Sequence, residues 1–323
     1  MGIFSILRAL TATNARDAEK AKKTEFDLKN DTGNNTDATG AVFVKENMLV
    51  IPREKLDILI ERIKKDTERK VINIETEERA DIGLTDSKFG GYPYWPSNME
   101  YPVNSEGDKL ILLAQINLSD VSDDRLPETG LLQFFISCDD INGLDDEKGY
   151  KVVYHKDIDP SVTEASVKEL GIRAASDLDH ENDEYMPLSK SYSLTFSEDT
   201  DFIGSSCNTF ESVVADKLRS LYNIDMNEVE IDGYYKLYGF LNADDSDYLS
   251  EAFSNAGHKM FGYPFFTQED PRDNGENDIL LFQMDSDYED IMWGDSGVGG
   301  FFISEENLKN LDFDKVVYNW DCY

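Results

Sequence analysis

The stretch Leu112-Leu113-Ala114-Gln115-Ile116-Asn117 returns 168 positions later as Leu280-Leu281-Phe282-Gln283-Met284-Asp285, an apolar run holding one glutamine in each case. Upstream of each run lies a glycine-tyrosine-proline loop, Gly91-Tyr92-Pro93-Tyr94 and Gly262-Tyr263-Pro264-Phe265, at a separation of 171. Downstream, Phe134-Phe135-Ile136-Ser137 pairs with Phe301-Phe302-Ile303-Ser304 at 167, and Lys151-Val152-Val153-Tyr154 with Lys315-Val316-Val317-Tyr318 at 164. Four blocks in one order, with a separation drifting only from 171 to 164, predict one unit written twice. The copies span about 85–157 and 256–321. Short strands separated by Gly, Pro and Asp clusters make the expected fold mainly β (α+β), a duplicated core with a pseudo-two-fold repeat and a few peripheral helices. Continuous apolar runs such as LILLAQI and LLQFFI predict strands covered on both faces, so neither copy is expected to stand alone.

Outward from the repeats, Leu56, Leu59, Ile60 and Ile63 recur at helical spacing after Pro52, with Glu54 at the start and Lys64 and Lys65 at the end, which predicts an amphipathic helix. Residues 71–76 (VINIET) alternate like a half-buried strand. A helical insertion is expected between the copies, around 163–170, 211–222 and 246–255, and residues 233–241 (GYYKLYGFL) read as an aromatic strand. Residues 1–40 are expected to form a flexible tail and 41–323 a single domain, because 11–40 is polar and Gly/Asn/Thr-rich with little periodicity.

Sixty-six Asp and Glu against 31 Lys and Arg give a formal net charge of −35, a field that repels phosphate backbones and anionic headgroups. Nucleic-acid and membrane-surface roles are therefore not expected. The three cysteines, Cys138, Cys207 and Cys322, are widely spaced and form no CxxC pair, which argues against a disulfide framework or a zinc site and suits a reducing compartment. The opening MGIFSILRAL has no basic region before it, no cleavage signature after it, and Ile at position 6 where a myristoylation signal needs Ser or Thr. A soluble cytoplasmic protein is the expectation.

The motifs SKFGGYPYWP (87–96), LLAQINLSD (112–120), LPETGLLQFFIS (126–137), GYPFFTQEDPR (262–272) and IMWGDSGVGGFFI (291–303) resemble the YwqG-like family of bacterial proteins, over roughly Pro52 to Tyr323. The resemblance implies a mostly β, internally duplicated fold and no established activity, so no catalytic residues are carried over from it.

Gly294-Asp295-Ser296-Gly297 is the context of a serine-protease nucleophile, which needs a histidine base, and the chain has only His155, His180 and His258. In the first copy the same place holds Glu128-Thr129-Gly130, and an acid, a hydroxyl and a glycine in both copies predict a turn in which the glycine takes a positive φ. The acidic clusters Asp139, Asp140, Asn142, Asp145, Asp146, Glu147 and Asp285, Asp287, Glu289, Asp290 fail the EF-hand pattern and read as solvated loops. With Gly143 at loop position 6, Cys138 falls at position 1 and Gly149 at position 12; the second cluster has Asp290 where glycine is required. His258 aligns with Ser87, which removes a symmetric metal or base role. No metal site, cofactor motif or catalytic motif is expected.

Gln115 and Gln283 sit inside apolar strands, where an unpaired amide costs about 1–3 kcal/mol. The first reading is that each pins a neighbouring loop; the other is that they line a central cleft with Tyr92, Trp95, Tyr263 and Trp293, near Asp295. The Gly-Tyr-Pro loops read equally well as an exposed aromatic surface or as plugs at the strand ends. The functional expectation is a non-enzymatic protein-binding module, an immunity-type partner of a basic protein by analogy of charge. The alternative is a small-molecule binder or unrecognised hydrolase in the cleft between the copies.

Overall fold

A computed structural model describes residues 42–45, 48–179, 184–226, 241–272, 277–287 and 290–323. The expected tail, most of the aromatic stretch 233–241, His180 and Glu289 lie outside the described residues. Val42–Tyr323 forms one compact unit.

Ten strands make one antiparallel sheet. Its centre is the long pair β3 (Arg69–Glu78) and β8 (Tyr192–Asp201), in register from Arg69 opposite Asp201 to Glu78 opposite Tyr192. Beside β8 lie, in order, β4 (Lys88–Phe89), β5 (Ile111–Asn117), β6 (Leu131–Ile136) and β7 (Tyr150–His155). Beside β3 lie β9 (Lys259–Phe261), β10 (Ile279–Asp285), β11 (Val298–Ile303) and β12 (Val317–Asp321). The order of pairing is the same on both sides. β8 and β3, however, come from outside the two sequence blocks, so each block completes its half of the sheet with a strand supplied from elsewhere in the chain.

Pairing detail also matches. A register shift falls between Leu112 and Ala114 where β5 pairs β6, and between Leu280 and Phe282 where β10 pairs β11. The final strands differ from the sequence expectation. Leu131 faces His155 and Phe134 faces Val152, while Val298 faces Asp321 and Phe301 faces Tyr318. With Leu131 matched to Val298, Val152 corresponds to Tyr318, so Lys151-Val152-Val153-Tyr154 corresponds to Val317-Tyr318-Asn319-Trp320. The expected partner Lys315-Val316-Val317-Tyr318 is out by two, and Lys315 closes a 3-10 turn before β12.

The strands β6 and β11 are buried at every position, and β5 and β10 at all but one end residue, as their almost wholly apolar runs require. The sheet curls into a near-barrel whose edge strands meet through side chains. The Tyr150 and Tyr318 rings lie 5.3 Å apart, the Tyr150 hydroxyl donates to the Val316 carbonyl (3.2 Å), and Lys151 pairs with Asp314 (2.6 Å). Inside, Phe134 lies 4.7 Å from Phe282 and 5.0 Å from Phe301.

Five helices are described, with a small hairpin, β1 (Phe43–Lys45) and β2 (Met48–Val50). They are α1 (Arg53–Asp66), α2 (Glu164–Glu169), α3 (Phe210–Tyr222), α4 (Ala243–Ala252) and α5 (Glu305–Lys309). Helix α1 begins after Pro52 and buries Leu56, Leu59, Ile60 and Ile63 against Phe210, Val214 and Leu218 of α3 and Leu249 of α4. Each such side chain contributes about 2 kcal/mol by leaving water. This helical layer forms an apolar cluster of its own, apart from the sheet interior.

Candidate functional site

The glutamines come first because they fix the loops. Gln115 is fully buried; its Nε2 donates to the carbonyls of Leu84 and Asp86 (both 2.9 Å), and its Oε1 accepts from the Tyr94 N–H (3.0 Å) and from Gln133 Nε2 (2.8 Å). Gln283 repeats the arrangement: Nε2 donates to Asn255 (3.1 Å) and Gly257 (2.8 Å), and Oε1 accepts from the Phe265 N–H (2.8 Å). In each case one amide ties the chain before the short strand to the Gly-Tyr-Pro loop after it. Both N–H groups of both amides are bonded to backbone, which leaves no donor for a ligand.

The aromatic candidates separate into three places. Trp95 is buried with Leu110, Leu112, Phe135, Val167 and Ile172, and its Nε1 donates to Met99 O (3.2 Å). Tyr92 packs at the edge of that cluster, donates to Asp177 and lies under the Lys168 ammonium at 4.3 Å; burial and Asp177 push its phenol up to about 12. Trp293 is fully buried in the sheet interior, 5.9 Å from Trp320. Tyr263 belongs to the helical layer, with the Arg69 guanidinium 4.1 Å from its ring centre. Asp295 is exposed in a turn and its carbonyl accepts from the Tyr323 N–H (3.1 Å). The seven residues do not share one cleft.

The GDSG stretch is a turn closed by the Gly297 N–H donating to Trp293 O (2.8 Å), with Gly294 at φ 53° and Ser296 at φ 57°. Gly130 takes the expected positive φ, at 110°, whereas Gly297 does not. Gly297 is required for space instead, since a Cβ there would lie 2.0 Å from the Asp321 carbonyl oxygen. Neither described histidine bonds Ser296: His155 Nε2 pairs with Gln133 Oε1 (2.8 Å), and His258 Nδ1 accepts from the Asp285 N–H (3.0 Å). Burial holds both imidazoles down at about 4, hence neutral.

A groove of about 830 Å³ lies on the first half of the sheet. Three segments wall it. One is the 103–109 hairpin, closed by pairing of Val103 with Lys109; the second is the 137–149 loop; the third is formed by Arg173 and Glu184. The segments are tied by the Ser105 N–H donating to Asp146 Oδ2 (2.8 Å) and the Tyr185 N–H donating to Cys138 O (2.7 Å), while Asp139 Oδ1 braces its own loop by accepting from the N–H of Ile141 and of Gly143. Seven carboxylates line it, those of Glu106, Asp108, Asp139, Asp145, Asp146, Glu147 and Glu184, against two cations, Lys109 and Arg173. Arg173 is spent on Glu184 (2.8 Å). In sequence the 139–147 cluster reads as a solvated loop; only the fold shows that it faces a second acidic hairpin. Among the described residues no group of three or more His, Cys, Asp or Glu side chains is arranged to hold a metal ion, and no helix is long and apolar enough to cross a membrane.

A near-barrel of ten antiparallel strands with paired glutamine staples and an acidic groove defines a mainly β protein class. Residues 87–322 match the family model described as Domain of unknown function (DUF1963), and the chain belongs to that family. No curated protein matches it.

Proposed function

We propose that this protein is a non-enzymatic binding protein whose partner is a basic protein. The observation that carries the reading is the open groove of about 830 Å³, where seven carboxylates face two cations on a chain of net charge −35. Such a surface steers cationic partners and repels anionic ones. The same reading takes the core as one unit written twice and the chain as YwqG-like. The matching strand order, the two register shifts and the two glutamine staples support the duplication. A ligand cleft between the halves has less support, because Gln115 and Gln283 spend their donors on backbone.

The test is a titration of the full chain against a panel of basic nuclease domains at several salt concentrations. Binding that weakens by about tenfold or more from low to physiological salt supports the reading. Failure to bind any of them, or binding indifferent to salt, overturns it.

A further inference from the structure

The groove holds an unmet hydrogen-bonding demand. Ser137 is one of its lining residues, is 3% exposed, and its N–H donates to Gly149 O (2.7 Å), yet its hydroxyl has no partner among the described residues. A buried hydroxyl left unpaired is costly, so its persistence in a concave site marks a place where something else supplies the bond.

The surrounding carboxylates fall into two sets. Asp146 ties the 137–149 loop to the hairpin through the Ser105 N–H, Asp139 braces its own loop through the N–H of Ile141 and Gly143, and Glu184 pairs with Arg173. Glu106, Asp108, Asp145 and Glu147 are exposed, line the same groove, and have no side-chain partner among the described residues. Beside the lining residues stand three exposed apolar side chains: Val103 (37%), Leu144 (39%) and Tyr185 (38%). A complementary group must bring several N–H donors, positive charge, and an apolar stem to lie along those rim residues. An arginine or lysine side chain does all three. The volume exceeds one side chain and suits a short basic segment of a protein.

We infer that this groove is the docking site for the basic partner, receiving a segment whose cationic head group donates to the Ser137 hydroxyl and is neutralised by Glu106, Asp108, Asp145 and Glu147. The assignment rests on the basic-partner reading and narrows it to one surface.

The experiment measures fluorescence anisotropy of a labelled arginine-rich peptide against the full chain at low salt. It compares wild type with Asp145→Asn/Glu147→Gln, with Ser137→Ala, and with a control of equal charge change on α4, Asp244→Asn/Asp247→Asn. The groove pair is expected to weaken binding by about tenfold, Ser137→Ala by about threefold, and the control by less than about twofold. Ser137→Ala also carries a signature that a purely structural serine lacks: removing an unpaired buried hydroxyl raises the Tm of the free protein while weakening the complex. Equal losses for groove and control, with salt-dependent binding intact, overturn the groove and leave the basic-partner reading standing. Absence of binding by wild type overturns both. A lower Tm for Ser137→Ala overturns the hydroxyl's role. Competition by free arginine or spermine as strong as by the peptide overturns a protein segment as occupant.

Discussion

The hydroxyl oxygen of Ser87 and Nδ1 of His258 do the same task 171 residues apart: each accepts a backbone N–H from the far end of the neighbouring buried strand, from Asn117 at 2.9 Å and from Asp285 at 3.0 Å. Histidine and serine differ in volume and in acid–base behaviour, but here each serves as a neutral acceptor. A protonated His258 would lose its Nδ1 lone pair and could not make the bond.

That requirement sets a pH dependence. Burial pushes His258 and His155 from 6.5 down to about 4, so the unfolded chain takes up protons first as pH falls. The stability from each neutral ring is complete above about pH 6.5 and is lost as pH drops from there toward 4, amounting to about 3 kcal/mol per ring. Urea unfolding between about pH 7 and 5, above the ordinary carboxylate range, should show falling stability, with the slope roughly halved in His258→Ser. An unchanged slope in that variant would show that His258 is not the titrating group.

Replacing a glutamine staple should cost far more than its one lost side chain suggests. Gln283→Ala strands the carbonyls of Asn255 and Gly257 and the N–H of Phe265, each in or near the core, so a loss of about 3 kcal/mol or more is expected by chemical denaturation. For the first half, Gln115→Ala and Gln133→Ala should be non-additive, since the two amides bond each other at 2.8 Å.

Phe261 carries a left-handed φ of 64° while fully buried, at the position where the first half has Gly90 with φ 63°. At Gly90 a Cβ would lie 2.5 Å from the Lys190 carbonyl oxygen, so no side chain fits. At Phe261 the ring is retained under the Arg125 guanidinium, 3.5 Å from its centre, against a backbone cost of about 1–2 kcal/mol. Phe261→Gly should therefore be more stable than Phe261→Ala by about 1 kcal/mol, the reverse of the usual ranking in a strand.

Lys259 is 3% exposed and its ammonium meets Asp201 Oδ2 at 3.1 Å, with the same carboxylate holding Asn255, Phe202 N–H and Tyr263 N–H. Asp201→Asn leaves a buried cation unpaired and should cost about 3–5 kcal/mol, of which Lys259→Met in the same chain recovers a part. A double variant as unstable as the sum of the singles would show that the pair is not coupled.

Most helices and strands were legible because apolar spacing dictates them: α1, α3 and β5, β6, β10 and β11 fall where periodicity places them. The last strand pair was misaligned for a physical reason. Side chains alternate with period two, so a shift of two residues keeps every apolar position on its face and leaves no trace in the pattern. Only the ladder facing Leu131 and Val298 reveals it. The tie between β8 and β4, and between β3 and β9, was equally invisible, since neither depends on residues near in sequence. In the groove, the 139–147 carboxylates were visible as a cluster. Ser137 was not, because its significance is an unmade bond at the end of a strand.

The most direct measurement is hydrogen–deuterium exchange of the full chain with and without the arginine-rich peptide. Added protection is expected to concentrate in 103–109, 137–149 and 184–186, with α4 unchanged. Protection spread evenly over the acidic surface, or centred on the Gly-Tyr-Pro loops, would contradict it.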